Sequence, residues 1–195
     1  MDKTKEYYEN HSKEFIDNTY KCDMSMMYQL FESKLNKKNA TILDLGFGSG
    51  RDIEYFFSKG YEVYGVDPVE KFCKFIEEKG FNNIYCQSAN EMTFHDKFDG
   101  IWACASLLHV HKNNLNEAFN KCSIALKKDG VMYCSFKYGD FEGVRNGRYN
   151  IDLNEKTIQN YIKNTNLVIE EIKLSLDVRE NRNNEKWLNI LLRKV

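Results

Sequence analysis

The chain has 195 residues, 42% of them hydrophobic and 29% charged. Domains of about 100–200 residues bury roughly 70% of their surface, so this composition suits one folded domain and excludes a disordered or fibrous chain. Lysine and arginine number 28 against 29 aspartate and glutamate, a formal net charge of -1, which leaves no global basic field to draw in nucleic acid or an anionic membrane. Apolar stretches such as 101–108 are too short to span a bilayer, and the N-terminus MDKTKEYYEN lacks an apolar signal core. A soluble, cytoplasmic protein is expected.

Between residues 3 and 38, Tyr7, Tyr8, Phe15, Ile16, Met24, Met27, Leu30, Phe31 and Leu35 recur at spacings of three and four, which predicts two amphipathic helices. The chain then alternates. Apolar runs at 42–45, 63–66, 84–86, 100–104 and 131–136 read as strands, the last entered through an Asp129-Gly130 turn. The segments 52–59, 69–79 and 114–126 read as helices, the first two stopped at Gly60 and Gly80. Such alternation implies right-handed βαβ units and a parallel sheet with helices on both faces. The ending departs from it. After a helix around 155–164, runs at 167–174 and 187–192 are joined by a polar segment too short for a crossover helix, which requires an antiparallel pair. The expected sheet therefore has seven strands, mostly parallel, with the last reversed.

No repeat or linker divides the chain, and Pro68 is its only proline. A single domain, 1–195, is expected, with a helical lid at 1–38 and a core at 40–195. The six cysteines show no C-x-x-C spacing, so neither disulfides nor a structural zinc are expected. His109-x-His111 has no third and fourth ligand at metal-site spacing.

The sharpest motif is Asp44-Leu45-Gly46-Phe47-Gly48-Ser49-Gly50-Arg51-Asp52, a strand entering a glycine-rich turn that opens a helix. Glycines there let the backbone turn tightly and let a ligand approach it, at the strand-end edge where open α/β sheets bind ligands. A dinucleotide fingerprint, G-x-G-x-x-G, would place glycine where this chain has Arg51. A second strand ends in Asp67, 21 residues after Gly46, and a carboxylate at about that separation can accept from both ribose hydroxyls of an adenosine-type ligand.

Together these residues resemble the class I S-adenosylmethionine-dependent methyltransferases, over roughly 40–136. The resemblance implies a Rossmann-like fold with an antiparallel seventh strand, and S-adenosylmethionine as cofactor. It implies that the acidic-x-Gly-x-Gly-x-Gly turn, here Asp44, Gly46, Gly48 and Gly50, holds the methionine part, with Asp67 on the ribose. The family's fourth strand matches 98–103, and 106–110 matches the segment beside the reactive methyl. Many members carry an acid after the third strand for the adenine. Ser88 stands in its place here, which passes adenine recognition to Ser88, Ala89 or Asn90. Phe47, Arg51 and Asp52 also fit small bacterial members similar to tellurite-resistance methyltransferases. Pro68, Ala103 and Ser106 complete the implied cofactor contacts, together with Tyr8, since an N-terminal tyrosine helix closes over the cofactor in related enzymes.

DNA amino-methyltransferases commonly carry an Asn/Asp-Pro-Pro-aromatic motif after the fourth strand, where this chain has Cys104-Ala105-Ser106-Leu107, and no basic helix with interleaved aromatics is present. A small-molecule acceptor is expected, with no DNA or membrane partner and a monomer or homodimer as the assembly. The alternatives are a methyltransferase acting on RNA or protein and a non-catalytic cofactor-binding protein. The sulfonium methyl is already activated, so the protein supplies proximity, in-line orientation and a dry site. An acceptor that arrives protonated would also need a base, for which His109 and then Tyr138 are the candidates. The segments 138–152 and 175–186 leave the sheet at the ligand edge and hold Arg145, Arg148, Arg179 and Arg182, four of six arginines. A guanidinium fork suits carboxylate or phosphate, so an anionic acceptor is one reading. Ion pairing with Asp140, Glu142, Asp152, Asp177, Glu180 or Glu185 is the other. Gly143 and Gly147, which would let backbone close over a ligand, direct the substrate expectation to Arg145 and Arg148, and the ion-pair expectation to Arg179 and Arg182.

Overall fold

The computed structural model describes residues 3–179, 182 and 184–195. Helices α1 (Lys3–Thr19) and α2 (Ser25–Glu32) precede an alternation of β1 (Thr41–Leu45), α3 (Arg51–Ser58), β2 (Glu62–Asp67), α4 (Glu70–Glu78), β3 (Ile84–Cys86), β4 (Phe98–Ala103), α5 (Lys112–Ala125) and β5 (Leu126–Lys137). A hairpin of β6 (Glu142–Arg145) and β7 (Arg148–Ile151) follows, then α6 (Thr157–Ile162), β8 (Leu167–Leu176) and β9 (Lys186–Lys194). The main sheet runs β3-β2-β1-β4-β5-β9-β8. Neighbours from β3 to β5 are parallel, and β9 lies antiparallel to both β5 and β8. The Rossmann-like sheet with its reversed last strand is thus present, with β9 inserted one place in from the edge.

Successive strand residues face opposite sides, and both sides are apolar, as a parallel sheet covered twice requires. Leu43, Ile101 and Met132 point into one core with Leu115, Phe119 and Ile158, the side of α5 and α6. Ile42, Trp102 and Tyr133 point into the other with Ile53, Phe56, Phe72 and Ile76, the side of α3 and α4. The expectation of a lid over 1–38 divides here. Met27, Tyr28 and Phe31 of α2 are buried in that second core, so α2 belongs to the helical layer, whereas α1 crosses the strand-end edge. The physical reason is apolar area: Tyr28 and Phe31 of α2 pack on the Trp102 ring together with Phe56 of α3.

Two further departures concern turns. The expected Asp129-Gly130 turn lies inside β5 as a bulge, where the register jumps from Phe98↔Leu126 to Gly100↔Val131 and Asp129 takes φ 62. The segment after β5 holds the β6–β7 hairpin, closed by Asn146 and Gly147 at φ 51 and 78. Two consecutive left-handed residues form the turn whose twist matches a hairpin, and Asn-Gly is its preferred sequence. Among the described residues, no helix is long and apolar enough to cross a membrane.

Candidate functional site

β1 and β2 end side by side, with Leu45 opposite Val66, which sets Asp44, the glycine turn and Asp67 together. The Gly46 amide donates to the Val66 carbonyl at 2.6 Å. Asp67 accepts from the Gly48 amide at 3.0 Å and the Val69 amide at 2.9 Å. Burial pushes its carboxyl up to about 6, against the pull of those amides. Gly48 has φ 50 and lies under the ring of Phe15, where an added Cβ would stand 2.7 Å from a ring carbon. That approach admits no side chain. Gly50 takes φ 74 and forms the N-cap of α3.

Asp44 is buried behind this turn, and its Oδ2 has no hydrogen-bond partner. Burial, then the nearby charge of Asp52, raises its carboxyl well above the usual range. Asp52 behaves oppositely. Burial opposes its charge, but it accepts from Arg51 at 2.7 and 2.8 Å, from the Trp102 indole at 2.9 Å and from the Tyr28 hydroxyl, which keep its carboxyl below the usual range. Arg51, expected at the cofactor, lines the cleft with its fork locked onto Asp52.

Two cavities open along the strand-end edge. The smaller, about 490 Å³, runs past Asp67, Pro68, Ser88, Ala89, Asn90 and Ser106. The larger, about 1050 Å³, extends from Phe47 and Arg51 to β8 and β9. They share Tyr8, Phe15, Gly46, Gly48, Ala105 and His109. At this seam Tyr8, on α1, donates its hydroxyl to His109 Nε2 at 2.9 Å, while His109 Nδ1 lies 2.7 Å from the Tyr149 carbonyl on β7. A carbonyl only accepts, so Nδ1 carries the proton and Nε2 is the accepting nitrogen. Arg148 Nη1 donates to the Tyr8 hydroxyl at 3.1 Å. Burial raises the Tyr8 phenol, partly offset by Arg148, so Tyr8 keeps its proton at neutral pH. α1 is tied down at its start, where Thr4 accepts from the Tyr149 amide at 3.0 Å.

The remaining expected residues are placed as follows. Ser88 and Asn90 are turned partly to their own loop: Ser88 donates to Glu91 through its amide and hydroxyl, and Asn90 donates to the Asn114 carbonyl. Ala103 is buried at the end of β4 and lines neither cavity. Tyr138 is corrected: it is 38% exposed, donates to Glu155 and lines neither cavity, because the chain leaves the cleft as β5 ends. Arg145, expected on substrate, spends its fork on Asp152 at 3.2 and 2.8 Å. Arg179 forks onto Asp177 and Arg182 lies 3.6 Å from Glu185. Glu180 lies outside the described residues. His111 caps α5 by accepting from the Asn113 amide and packs on Tyr149.

Three cleft features escaped the sequence reading. Phe15 covers the glycine turn and packs edge-on against Tyr8 across a kink of α1 at His11, which helical spacing does not reveal. Tyr149 orients His109 through a backbone carbonyl, which no side-chain pattern reveals. The Arg51–Asp52–Trp102 node joins α3 to β4, and only the fold brings it together.

Comparison with known proteins places this geometry. Residues 43–134 match the methyltransferase domain family. With the glycine turn and the acid that ends β2, this match supports a class I S-adenosylmethionine-dependent methyltransferase. It is 30% identical over 120 residues to YqeM of Bacillus subtilis (strain 168), which carries a methyltransferase description, covering 56% of this chain and 48% of that protein. It is 32% identical over 99 residues to a ubiquinone biosynthesis O-methyltransferase of a Bradyrhizobium species, covering 48% of this chain and 38% of that one. The chain thus spans less than half the length of these relatives. The crystal structure of the Burkholderia thailandensis 1,6-didemethyltoxoflavin-N1-methyltransferase, with 1,6-didemethyltoxoflavin and S-adenosylhomocysteine bound, superposes with a TM-score of 0.78 over 97% of this chain and 84% of that one. At 20% identity that likeness concerns the fold.

The residues present fit the family's cofactor, S-adenosylmethionine. An unpartnered Asp44 oxygen, buried behind the turn and lining neither cavity, suits a cationic amine, Asp67 offers carboxylate lone pairs at the end of β2, and Gly46 and Gly48 line both cavities.

Proposed function

We propose that the protein transfers a methyl group from S-adenosylmethionine to a small molecule held in the larger cavity. One observation carries the reading. Among the described residues, three buried side-chain polar atoms lack a partner, Asp44 Oδ2, Ser106 Oγ and Arg148 Nε, and all three surround the glycine turn and the seam. Folded proteins satisfy most buried polar groups, so a cluster of exceptions at one place marks a site completed by ligand. When bound, S-adenosylmethionine supplies a methyl on a sulfonium, already activated toward a nucleophile.

The chain's own residues do the rest. Asp44 and Ser106 flank the turn for the amino-acid part, Asp67 accepts from the ribose hydroxyls, and Ser88, Ala89, Asn90 and Pro68 line the adenine end. α1 acts as the lid, laying Tyr8 and Phe15 across the seam and excluding water there. His109, its tautomer held by the Tyr149 carbonyl, offers Nε2 to take a proton from an acceptor that arrives protonated, with Tyr8 exchanging places with that acceptor. The cavity of about 1050 Å³ supports a small-molecule acceptor over a polymer.

The test incubates the protein with S-adenosylmethionine and a panel of hydroxyl, amine and thiol acceptors and follows S-adenosylhomocysteine together with the acceptor's gain of one methyl by mass. Turnover that falls in His109→Ala while S-adenosylhomocysteine still binds supports the assignment. Binding without turnover on any acceptor would make the protein a cofactor binder, and methylation of RNA or protein alone would move the acceptor class.

A further inference from the structure

The six arginines of the chain are not equivalent. Asp52 grips Arg51 along its side-on edge, Oδ1 to Nε at 2.7 Å and Oδ2 to Nη2 at 2.8 Å. Asp177 grips Arg179 the same way, at 2.9 and 2.5 Å. Arg145 pairs with Asp152, Arg182 with Glu185 and Arg193 with Glu170. Among the described residues, Arg148 pairs with no carboxylate. Its Nη1 holds Tyr8, its plane lies over the rings of Tyr7 and Tyr8 at 4.8 and 5.5 Å, and its buried Nε has no partner. On the edge by which Asp52 and Asp177 hold their arginines, the Arg148 Nε is buried without a partner, and Arg148 lines the larger cavity.

The surroundings bias what can fill it. The chain's net charge is -1, yet the described residues lining the larger cavity include seven lysines and arginines against four aspartates and glutamates. The same cavity is also lined by Met24, Met26, Met27, Leu174, Leu176 and Trp187, which give it apolar surface beside its cations.

We infer that Arg148 anchors the acceptor through an oxyanion, a carboxylate or phosphate bound side-on at Nε and Nη2, and that the acceptor carries an apolar or aromatic body against that apolar surface. This rests on the methyl-transfer reading for the word acceptor, and on the unpartnered Nε for the anion. Side-on binding leaves Nη1 on Tyr8, so the anchored acceptor lies beside the Tyr8–His109 pair, next to the place it takes at His109 Nε2. A guanidinium presents two parallel donors to such a group, which an ammonium cannot reproduce. The cofactor's own carboxylate is the competing occupant of that edge, and the experiment separates the two.

Wild-type protein is first titrated with S-adenosylhomocysteine; failure there would count against the methyltransferase reading and leave the anion question to the ligand-free protein. Benzoate, phenyl phosphate and neutral benzyl alcohol are then titrated, with and without S-adenosylhomocysteine, by calorimetry or ligand-observed NMR. The expected result is that at least one of the two anions binds and benzyl alcohol does not. Arg148→Gln should weaken that anion at least tenfold, Arg148→Lys by less, and neither should change S-adenosylhomocysteine affinity by more than twofold. Three results would overturn the inference: equal binding of the neutral probe, anion binding that survives Arg148→Gln in a folded protein, or no anion binding in any state. A fourth would reassign Arg148 to the cofactor: Arg148→Gln weakening S-adenosylhomocysteine but not methylthioadenosine, which lacks the amino acid.

Discussion

The two ends of the larger cavity use the same residue types to opposite effect. At the β8–β9 end, Asp177 accepts from the Arg179 fork and amide and from the Trp187 indole at 3.0 Å. Against the cost of burial, these donors lower its carboxyl to about 2. Around the glycine turn and the seam, Arg148 keeps a buried Nε, and Ser106 and Asp44 buried oxygens, without partners, and His109 keeps an accepting nitrogen behind a tyrosine. A closed node stabilises the fold. An open one costs stability unless something binds, so its presence argues for a ligand.

The largest effect should come from the turn that joins the open end to the cofactor. Gly48→Val demands a left-handed β-branched residue and collides with Phe15. S-adenosylhomocysteine affinity should fall at least about a hundredfold, roughly 2.7 kcal/mol. Retained affinity in a folded variant would remove the turn from the site.

The closed end is probed by Asp177→Ala. It strands a half-buried guanidinium and a half-buried indole N–H, which should lower stability by about 2 kcal/mol, within the range for unsatisfied groups. For this chain length that is a melting temperature lower by about 4–8 °C, with S-adenosylhomocysteine affinity unchanged. Because the folded carboxyl sits near 2, below its unfolded value of about 3.9, the contribution is complete above about pH 4 and lost as pH falls toward 2. A melting curve unmoved by the substitution, or a cofactor affinity that falls with it, would erase the distinction between the two ends.

A pH titration sharpens the open end. Asp67 sits at about 6 without ligand, and donors from a ribose favour its charged form. Cofactor affinity should therefore weaken as pH drops below 6, by up to about tenfold per unit. Asp67→Asn cannot ionise and should shrink that dependence while lowering affinity at pH 8. A flat profile in the wild type would contradict the ribose role.

The smallest effect is expected for Tyr8→Phe, which deletes one hydroxyl between Arg148 and His109. The loss should be about 1 kcal/mol of stability, with a shifted pH profile of turnover, since His109 loses its donor. Identical pH profiles would reduce Tyr8 to packing.

How much of this was legible beforehand follows from how locally each feature is encoded. The alternation of strands and helices, the glycine turn and the acid ending β2 are contiguous, so periodicity and spacing revealed them. The N-terminal helices were half legible: amphipathic spacing announced both, but which face each covers depends on the sheet, and α2 is buried in the core. Asn146-Gly147 carried a hairpin signal that the surrounding arginines obscured. The pairing of Arg145 with Asp152, and its absence at Arg148, could not be read from composition, because acids and arginines are interleaved through 138–186 and only register decides which meet. His109 was found as a residue, whereas its tautomer depends on a carbonyl forty positions away.

The most direct test of the cleft as a cofactor site is calorimetric titration of S-adenosylhomocysteine into the wild type and Asp67→Ala, with melting curves on both. The expected result is saturable one-to-one binding to the wild type, weakened about ten- to a hundredfold in the variant by loss of a charged acceptor worth about 1.5–3 kcal/mol. Absence of binding to the folded wild type, or equal affinity in the folded variant, would contradict it.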